Sequence, residues 1–504
     1  MKRIALLVLS LFLVLYVQGQ PNFKKTRKYL EQARTDWGVP GMAVAIVKDG
    51  NVVFSEGFGQ LKNGGKQDVD RDTQFAIASN TKAFVASALA TLVAEGKISW
   101  DDKVTQYLPY FRLYDAYASA ETTVRDLLCH RVGLGTFSGD VIWYKSDFTA
   151  EEVIKRIQYI PQAYSFRAGY GYSNLMFITA GEVIKAVTGK SWADYVASTF
   201  LQPLQMNRTI TSVNQIKNND NVATPHKPVD DKNQPIAWVD WDNMGAAGGI
   251  ISSVNDMANW MRMNLNNGIW QGDTILSREQ QNVLWTPHNN FVLTDLSRTQ
   301  IPGRHFNGYG LGWGLYDYHG RMVVTHSGGY DGMYSRVAMM PDENLGIVIL
   351  TNSMSGITFP LTMKLINDFI KEDQRDWSQE FLNRPSEGTD PIKERKAAKI
   401  SNTKPSLPIS AYTGVYDAPM HGDITIKEED GELRLHFDRA ALLSATLKHW
   451  HNDTWEILWD ETHAWFDFGT VQFELDHNAK VTGMEIDVPN YDIFFHEIET
   501  KKRE

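Results

Sequence analysis

The sequence predicts an α+β domain, an antiparallel sheet with flanking helices and an inserted helical part, followed by a small all-β barrel-like domain. Three observations predict it. Strand signals open the chain and return only after a long helical stretch, and a proline-punctuated, charged segment follows. Beyond that segment, short runs of alternating apolar and polar residues recur to the C-terminus. At 504 residues, 43% of them apolar, the chain is long enough for two or three units with substantial cores.

Met1-Lys2-Arg3, the apolar run Ile4 to Val17 and Gln18-Gly19-Gln20 make the charged, apolar and small-residue zones of a secretory signal over residues 1–19, cleaved before Gln20. The apolar run is short for a membrane span, and no cysteine stands near it for lipid attachment. The mature chain is therefore expected to be soluble and exported, periplasmic or secreted, with no membrane contact after cleavage. A short helix comes next. Met42 to Val47 and Val52 to Phe58 then flank Asp49-Gly50, a specific hairpin signal. From about Phe75 to Gly268 the periodicity is mostly helical: Ala83 to Glu95, Ala150 to Ile157, Phe177 to Thr188 ending at Gly189, and Val254 to Leu265. Strands return at Met322 to His326, Tyr334 to Met340 and Leu345 to Thr351, and a helix follows from about Thr358 to Lys371. Residues 20–384 are thus assigned to the first domain, 385–408 to a linker and 409–504 to the β-domain. In the latter, Ile424 to Lys427 and Leu433 to Phe437 alternate across Asp430-Gly431, and Val471 to Leu475 and Val481 to Val488 across Asn478.

The net charge of −10 argues against nucleic acid or an anionic membrane surface as partner; the expected partner is a small-molecule or peptide substrate. There is no phosphate-binding glycine loop, no His-Glu-x-x-His and no Cys-x-x-Cys, so neither cofactor nor metal is expected. His449 and His451 share one face of an expected strand but lack a third ligand, and Trp450, Trp455, Trp459 and Trp465 read as β-domain core. The single cysteine, Cys129, ends a helically spaced apolar run and reads as a buried structural thiol.

The chemistry starts at Ser79-Asn80-Thr81-Lys82, which opens the alanine-rich helix. A serine in a first turn with a lysine three residues later puts hydroxyl and amine on one face, close enough to share a proton. The string alone carries little, since Ser401-Asn402-Thr403-Lys404 repeats it; there Pro405 and Pro408 stop any helix, and the side chains have no fixed geometry. Two more pieces join the first copy: Tyr172-Ser173-Asn174 on a turn before a helix, and His326-Ser327-Gly328-Gly329 where a strand edge is expected.

In this order and at these separations the chain resembles the serine hydrolases that include penicillin-binding proteins and class C β-lactamases, which use Ser-x-x-Lys, Tyr-x-Asn and Lys- or His-x-Gly. Gly38 to Val47, Leu127 to Leu134, Gly245 to Ser253 and Tyr309-Gly-Leu-Gly-Trp313 match as well, and the resemblance spans about residues 25 to 370. The C-terminal part resembles the lipocalin-like β-domain of some relatives. The resemblance implies a β-lactamase/transpeptidase-like fold and acyl transfer, with Ser79 as nucleophile. Either Lys82, if neutral, or Tyr172, as a phenolate, takes its proton. The backbone N–H groups of Ser79 and Gly329 would hold the oxyanion; Asn174, His326 and Gly328 would bind substrate, and Asn174 would also orient Lys82. Relatives that are β-lactamases carry lysine at the position of His326. A mostly neutral histidine attracts a substrate carboxylate less, so the expectation is a peptidase or amidase acting next to D-residues. The alternatives are a carboxylesterase, a weak β-lactamase, or a penicillin-binding sensor with little turnover; the sequence leaves oligomeric state open.

Overall fold

The computed structural model describes residues 23–217, 221–230, 232–385 and 390–504; the expected signal lies outside them. The strand Gly41–Lys48 is buried from Gly41 to Val47, as a strand covered on both faces must be. Ala43, Ala45 and Val47 enter one core, and Met42, Val44 and Ile46 the other. It turns into Asn51–Gly59 through Asp49 and Gly50, whose φ values of 50° and 75° give the twist a two-residue hairpin needs. On its other side it pairs with Leu345–Thr351, Met42 opposite Thr351, although some 300 residues separate them in the chain. The sheet then runs through Met333–Met340, Arg321–Tyr330, Gly314–Tyr318, Asn307–Tyr309 and Asn289–Asn290, antiparallel throughout.

The insertion between the second strand and Asn289 supplies the helices Thr81–Ala94, Asn174–Thr188 and Val254–Leu265, which cover one face of the sheet, while Phe23–Asp36 and Thr358–Ile370 cover the other. The helix Asn174–Thr188 starts three residues earlier than its periodicity suggests, so Asn174 is its first residue, and it ends where Gly189 takes φ 72°.

The C-terminal domain is an eight-stranded antiparallel sheet that nearly closes into a barrel. Lys501–Lys502 pairs back onto Gly414–Asp417, and the Thr500 hydroxyl bonds both Met484 N–H and C=O at 2.8 Å. Trp450 and Trp455 are buried in it and Trp459 is half-buried. His449 Nε2 meets the Asn452 carbonyl at 2.9 Å and His451 Nδ1 accepts the Ile400 N–H at 3.2 Å, so both histidines serve local structure. Within the expected linker, Pro391–Ala397 is helical, and the Ser406 N–H and Thr403 hydroxyl bond Asp453 and the Asn452 N–H. The second Ser-x-x-Lys copy lies here in an exposed turn, with Asn402 at φ 61°.

Contacts of several kinds fasten the barrel to the first domain. Buried Lys227 reaches the carbonyls of His463 and Phe466 and the Asp467 carboxylate. Glu497 accepts the Ser138 hydroxyl and, at 2.7 Å, the Gly139 N–H. Arg439 pairs with Asp147 at 2.5 Å while its carbonyl accepts the Asp147 N–H at 2.8 Å.

Candidate active site

The Ser79 turn is built by tertiary contacts more than by local propensity. Ala78–Asn80 forms a 3-10 turn ahead of the helix Thr81–Ala94, so Ser79 stands just before the α-helix, where a first-turn position was expected. Ala78 is buried with φ 47°, a left-handed conformation that costs an alanine about 1–3 kcal/mol. Hydrogen bonds hold it there: Ile77 N–H to the Ile250 carbonyl at 3.0 Å, and to the Ile77 carbonyl both Ser335 Oγ at 2.7 Å and Asn80 Nδ2 at 3.1 Å. The strand Arg321–Tyr330 lies directly on this turn. A Cβ at Gly328 would stand 2.3 Å from the Ile77 oxygen and 2.9 Å from the Ala78 Cβ, so only glycine lets the two backbones meet.

Lys82 is fully buried, and its Nζ touches three oxygens: Ser79 Oγ at 2.9 Å, Asn174 Oδ1 at 2.6 Å and the Ala247 carbonyl at 2.8 Å. The two carbonyl-type oxygens can only accept, whereas the serine hydroxyl can also donate. An ammonium donates to all three; a neutral amine keeps two donations and turns its lone pair to the Ser79 hydroxyl. Burial pushes the Lys82 amine down to about 7, against the pull of Asp140. Asp140 is the other end of a buried chain: Asn174 Nδ2 donates to its Oδ2 at 2.6 Å and Trp143 Nε1 to its Oδ1 at 2.9 Å. Burial pushes its carboxyl up to about 8, against those two donors and Lys82. Lysine and carboxyl therefore exchange protons as one coupled pair near neutral pH.

Tyr172 is half-buried. Its ring centroid lies 4.8 Å from Lys82 Nζ and 4.3 Å from the His130 ring. Burial raises its phenol well above the usual range, and only the neighbouring Ser79 hydroxyl pulls it the other way. Of the two possible bases, burial thus favours the neutral amine over the phenolate. His326 lies within the strand Arg321–Tyr330, which continues past the expected end. Yet Thr325 is the last residue there to pair with Gly314–Tyr318, and beyond it the strand edge is free on that side. His326 Nδ1 lies 2.6 Å from the Ser327 carbonyl and must donate to it, so Nε2 accepts the Tyr309 hydroxyl at 2.7 Å. Burial, and then Lys82, push its ring down to about 3. Both nitrogens are committed, and the ring offers a substrate no cation.

Ser79, Tyr172, Asn174, His326, Gly328 and Gly329 all line one cavity of about 650 Å³, and Lys82 reaches Ser79 from beneath it. Sequence reasoning missed four contributors. Asp140 and Trp143 come from the 3-10 turn Asp140–Ile142 and the residue that ends it, and Tyr309, quoted for its motif alone, fixes His326. Trp465 corrects an expectation: it is not barrel core but a half-buried wall of this cavity, bonded to Asp331 and standing against Gly329, where a Cβ would meet it at 3.2 Å. Its position in a loop after the barrel strand Thr454–Trp459, among buried aromatics, gave no sign of this.

Residues 26–365 match the family described as Beta-lactamase, and residues 398–502 match a domain of unknown function, DUF3471. Unguisins hydrolase ungD of Aspergillus violaceofuscus is 28% identical over 445 residues, 80% of this chain and 76% of that protein. The octameric penicillin-binding protein homologue from Pyrococcus abyssi superposes with a TM-score of 0.62 at 20% identity, over 93% of this chain and 99% of that one, so the likeness takes in both domains. The D-amino acid amidase from Ochrobactrum anthropi SV3 superposes with a TM-score of 0.54 at 24% identity, covering 70% of this chain and 97% of that one. With its fold, its motif order and the extent of the family match in agreement, the chain belongs to the beta-lactamase family and is a serine hydrolase of that family.

Proposed function

We propose that the protein is an amidase or peptidase that forms an acyl-enzyme on Ser79 and acts next to D-residues. The observation that carries this is the Lys82 amine, whose only contact able to donate a proton is the Ser79 hydroxyl. In the forward step the neutral Lys82 takes the Ser79 proton as Oγ attacks the carbonyl carbon. The N–H groups of Ser79 and Gly329 receive the oxyanion, and the proton passes to the leaving amine, with Tyr172 beside the path. Water then hydrolyses the ester. Amide over β-lactam is favoured by His326, which is neutral and fully hydrogen-bonded where a cation would draw the lactam carboxylate. The D-preference is carried over from the amidase to which the chain is similar. The charged start and apolar run of the N-terminus support an exported enzyme.

The test is a fluorophosphonate mass shift on the mature protein and on Ser79→Ala, followed by turnover of D- and L-amino acid amides, an aryl ester and a chromogenic cephalosporin. The expected result is a label only with Ser79 present and faster turnover of D-amides than of the cephalosporin. A label that survives in Ser79→Ala sinks the nucleophile; a cephalosporin turned over far faster than the amides sinks the substrate class.

A further inference from the structure

Beyond Thr325 the strand Arg321–Tyr330 has, among the described residues, a neighbour on one side only, Met333–Met340. Gly329 stands two residues before Asp331, in the turn that joins these two strands. A strand end with one neighbour yields easily, whereas an oxyanion donor must hold its place to a fraction of an ångström. What fixes this end is the turn. The Tyr330 hydroxyl donates to the Val239 carbonyl and accepts the Val239 N–H at 2.7 Å, and the Gly332 carbonyl accepts the His226 N–H at 3.0 Å. Between them Asp331 is fully buried, and its carboxylate collects donors from separate segments: the Tyr144 hydroxyl at 2.8 Å, Trp241 Nε1 at 3.1 Å and the Trp465 indole N–H. Burial pushes the carboxyl up, and Lys145 and these donors act against it. Tyr144 and Trp241 belong to the first domain. Trp465 comes from the barrel.

The barrel loop that carries Trp465, between Thr454–Trp459 and Thr470–Leu475, is tied down on both sides of it. Lys145 Nζ donates to His463 Nδ1 at 2.8 Å, and Lys227 holds the carbonyls of His463 and Phe466 and the Asp467 carboxylate. Lys227 follows His226, whose N–H meets the Gly332 carbonyl, so the strand His226–Val229 anchors the loop and the turn together. The Trp465 ring also stands against Gly329, where an added Cβ would meet it at 3.2 Å. The loop thus bears on the oxyanion strand twice, by its ring at Gly329 and by its indole N–H at Asp331.

We propose that Asp331 is a positioning residue for the Gly329 N–H and that Trp465 acts through it, so that docking of the barrel sets the rate of acyl transfer. One oxyanion donor then comes from the Ser79 turn, and the place of the other depends on the C-terminal domain. This rests on the acyl-enzyme reading above, whose oxyanion it concerns.

The experiment uses the mature full-length protein, Trp465→Phe, Asp331→Ala and the double variant. Trp465→Phe keeps an aromatic side chain in the wall but loses the N–H. Aryl ester hydrolysis gives kcat and KM, and phenylboronic acid gives a Ki, because its tetrahedral adduct on Ser79 holds an oxygen where the oxyanion forms. Fluorophosphonate labelling of Ser79, taken to completion, counts the folded sites in each protein. In Trp465→Phe kcat is expected to fall about 10-fold with KM changed by less than about twofold, and the boronate Ki to rise by the factor by which kcat falls. Asp331→Ala, which removes the acceptor outright, is expected to fall further, and the double variant no further than Asp331→Ala alone, as two residues on one path require. An unchanged kcat in Trp465→Phe, a change in KM alone, a loss of kcat without a matching change in Ki, or additive losses in the double variant would overturn the positioning role and leave the hydrolase reading standing. Failure of the hydrolase reading looks different: Ser79 unlabelled in wild type, or turnover persisting in Ser79→Ala.

Discussion

Replacing Asp140 by asparagine removes one negative charge from the chain that ends on Lys82 and keeps nearly the same shape. Burial pushes the Asp140 carboxyl up to about 8, but both its oxygens already accept, from Asn174 and from Trp143, so an added proton would find no acceptor and, within the coupled pair, the charged carboxylate accompanies the charged amine. The amine and the carboxylate are two hydrogen bonds of 2.6 Å and one amide apart. At an effective dielectric near 20, unit charges about 7 Å apart interact by about 2 kcal/mol, roughly 1.5 pH units of titration. The carboxylate stabilises the protonated amine, and its removal lets the amine lose its proton at lower pH. The rate falls on the acid side as Lys82 protonates, near its value of about 7. The acidic limb of kcat/KM is therefore expected to move down by about 1.5 pH units in Asp140→Asn. The assay is the pH profile of aryl ester hydrolysis for both proteins. The variant is also expected to lose about 1–3 kcal/mol of stability, because its amide nitrogen turns a donor toward Trp143 or Asn174. An unmoved limb would mean that Asp140 carries its own proton near neutral pH, and the argument from its two donors would be wrong.

Two other perturbations test the packing around the site. Gly328→Ala forces a methyl into the Ile77 carbonyl and Ala78; kcat is expected to fall at least about 10-fold, together with a lower Tm, and full activity would refute the close approach. Lys227→Met leaves the Asp467 carboxylate and two barrel carbonyls without their donor, so limited proteolysis is expected to release the barrel far faster than in wild type, with cleavage between about Pro385 and Pro408. An equally resistant variant would mean that Glu497 and Arg439 hold the barrel without it.

What could be read from the sequence is what local chemistry dictates. The Asp49-Gly50 hairpin requires two positive φ values that this pair accepts, Gly189 ends its helix in the left-handed region, and alternating strands declare their buried faces. The Ser-x-x-Lys spacing placed Ser79 and Lys82 together even though the turn before the helix is 3-10. That turn was not legible, because it is imposed by Ile250 and Ser335 from distant segments. Asp140, Trp143 and Trp465 were not legible for the same reason: each is an ordinary residue between periodic elements until the fold sets it beside partners from other elements. The motif order identified the chemistry, while the residues that surround it come from loops without periodicity.

The three contacts of Lys82 extend past the resting enzyme. Once Ser79 is acylated in the proposed reaction, its oxygen has no hydrogen left, and all three atoms around the amine can only accept. A lysine that has handed its proton to the departing amine then points a lone pair at an ester oxygen, an arrangement with nothing to satisfy it. A molecule bringing its own hydrogen restores the count, and once the amine has left, the water needed to free the enzyme is such a molecule. The same geometry that starts the first half of the cycle thus leaves a hydrogen-bond deficit that selects the nucleophile of the second.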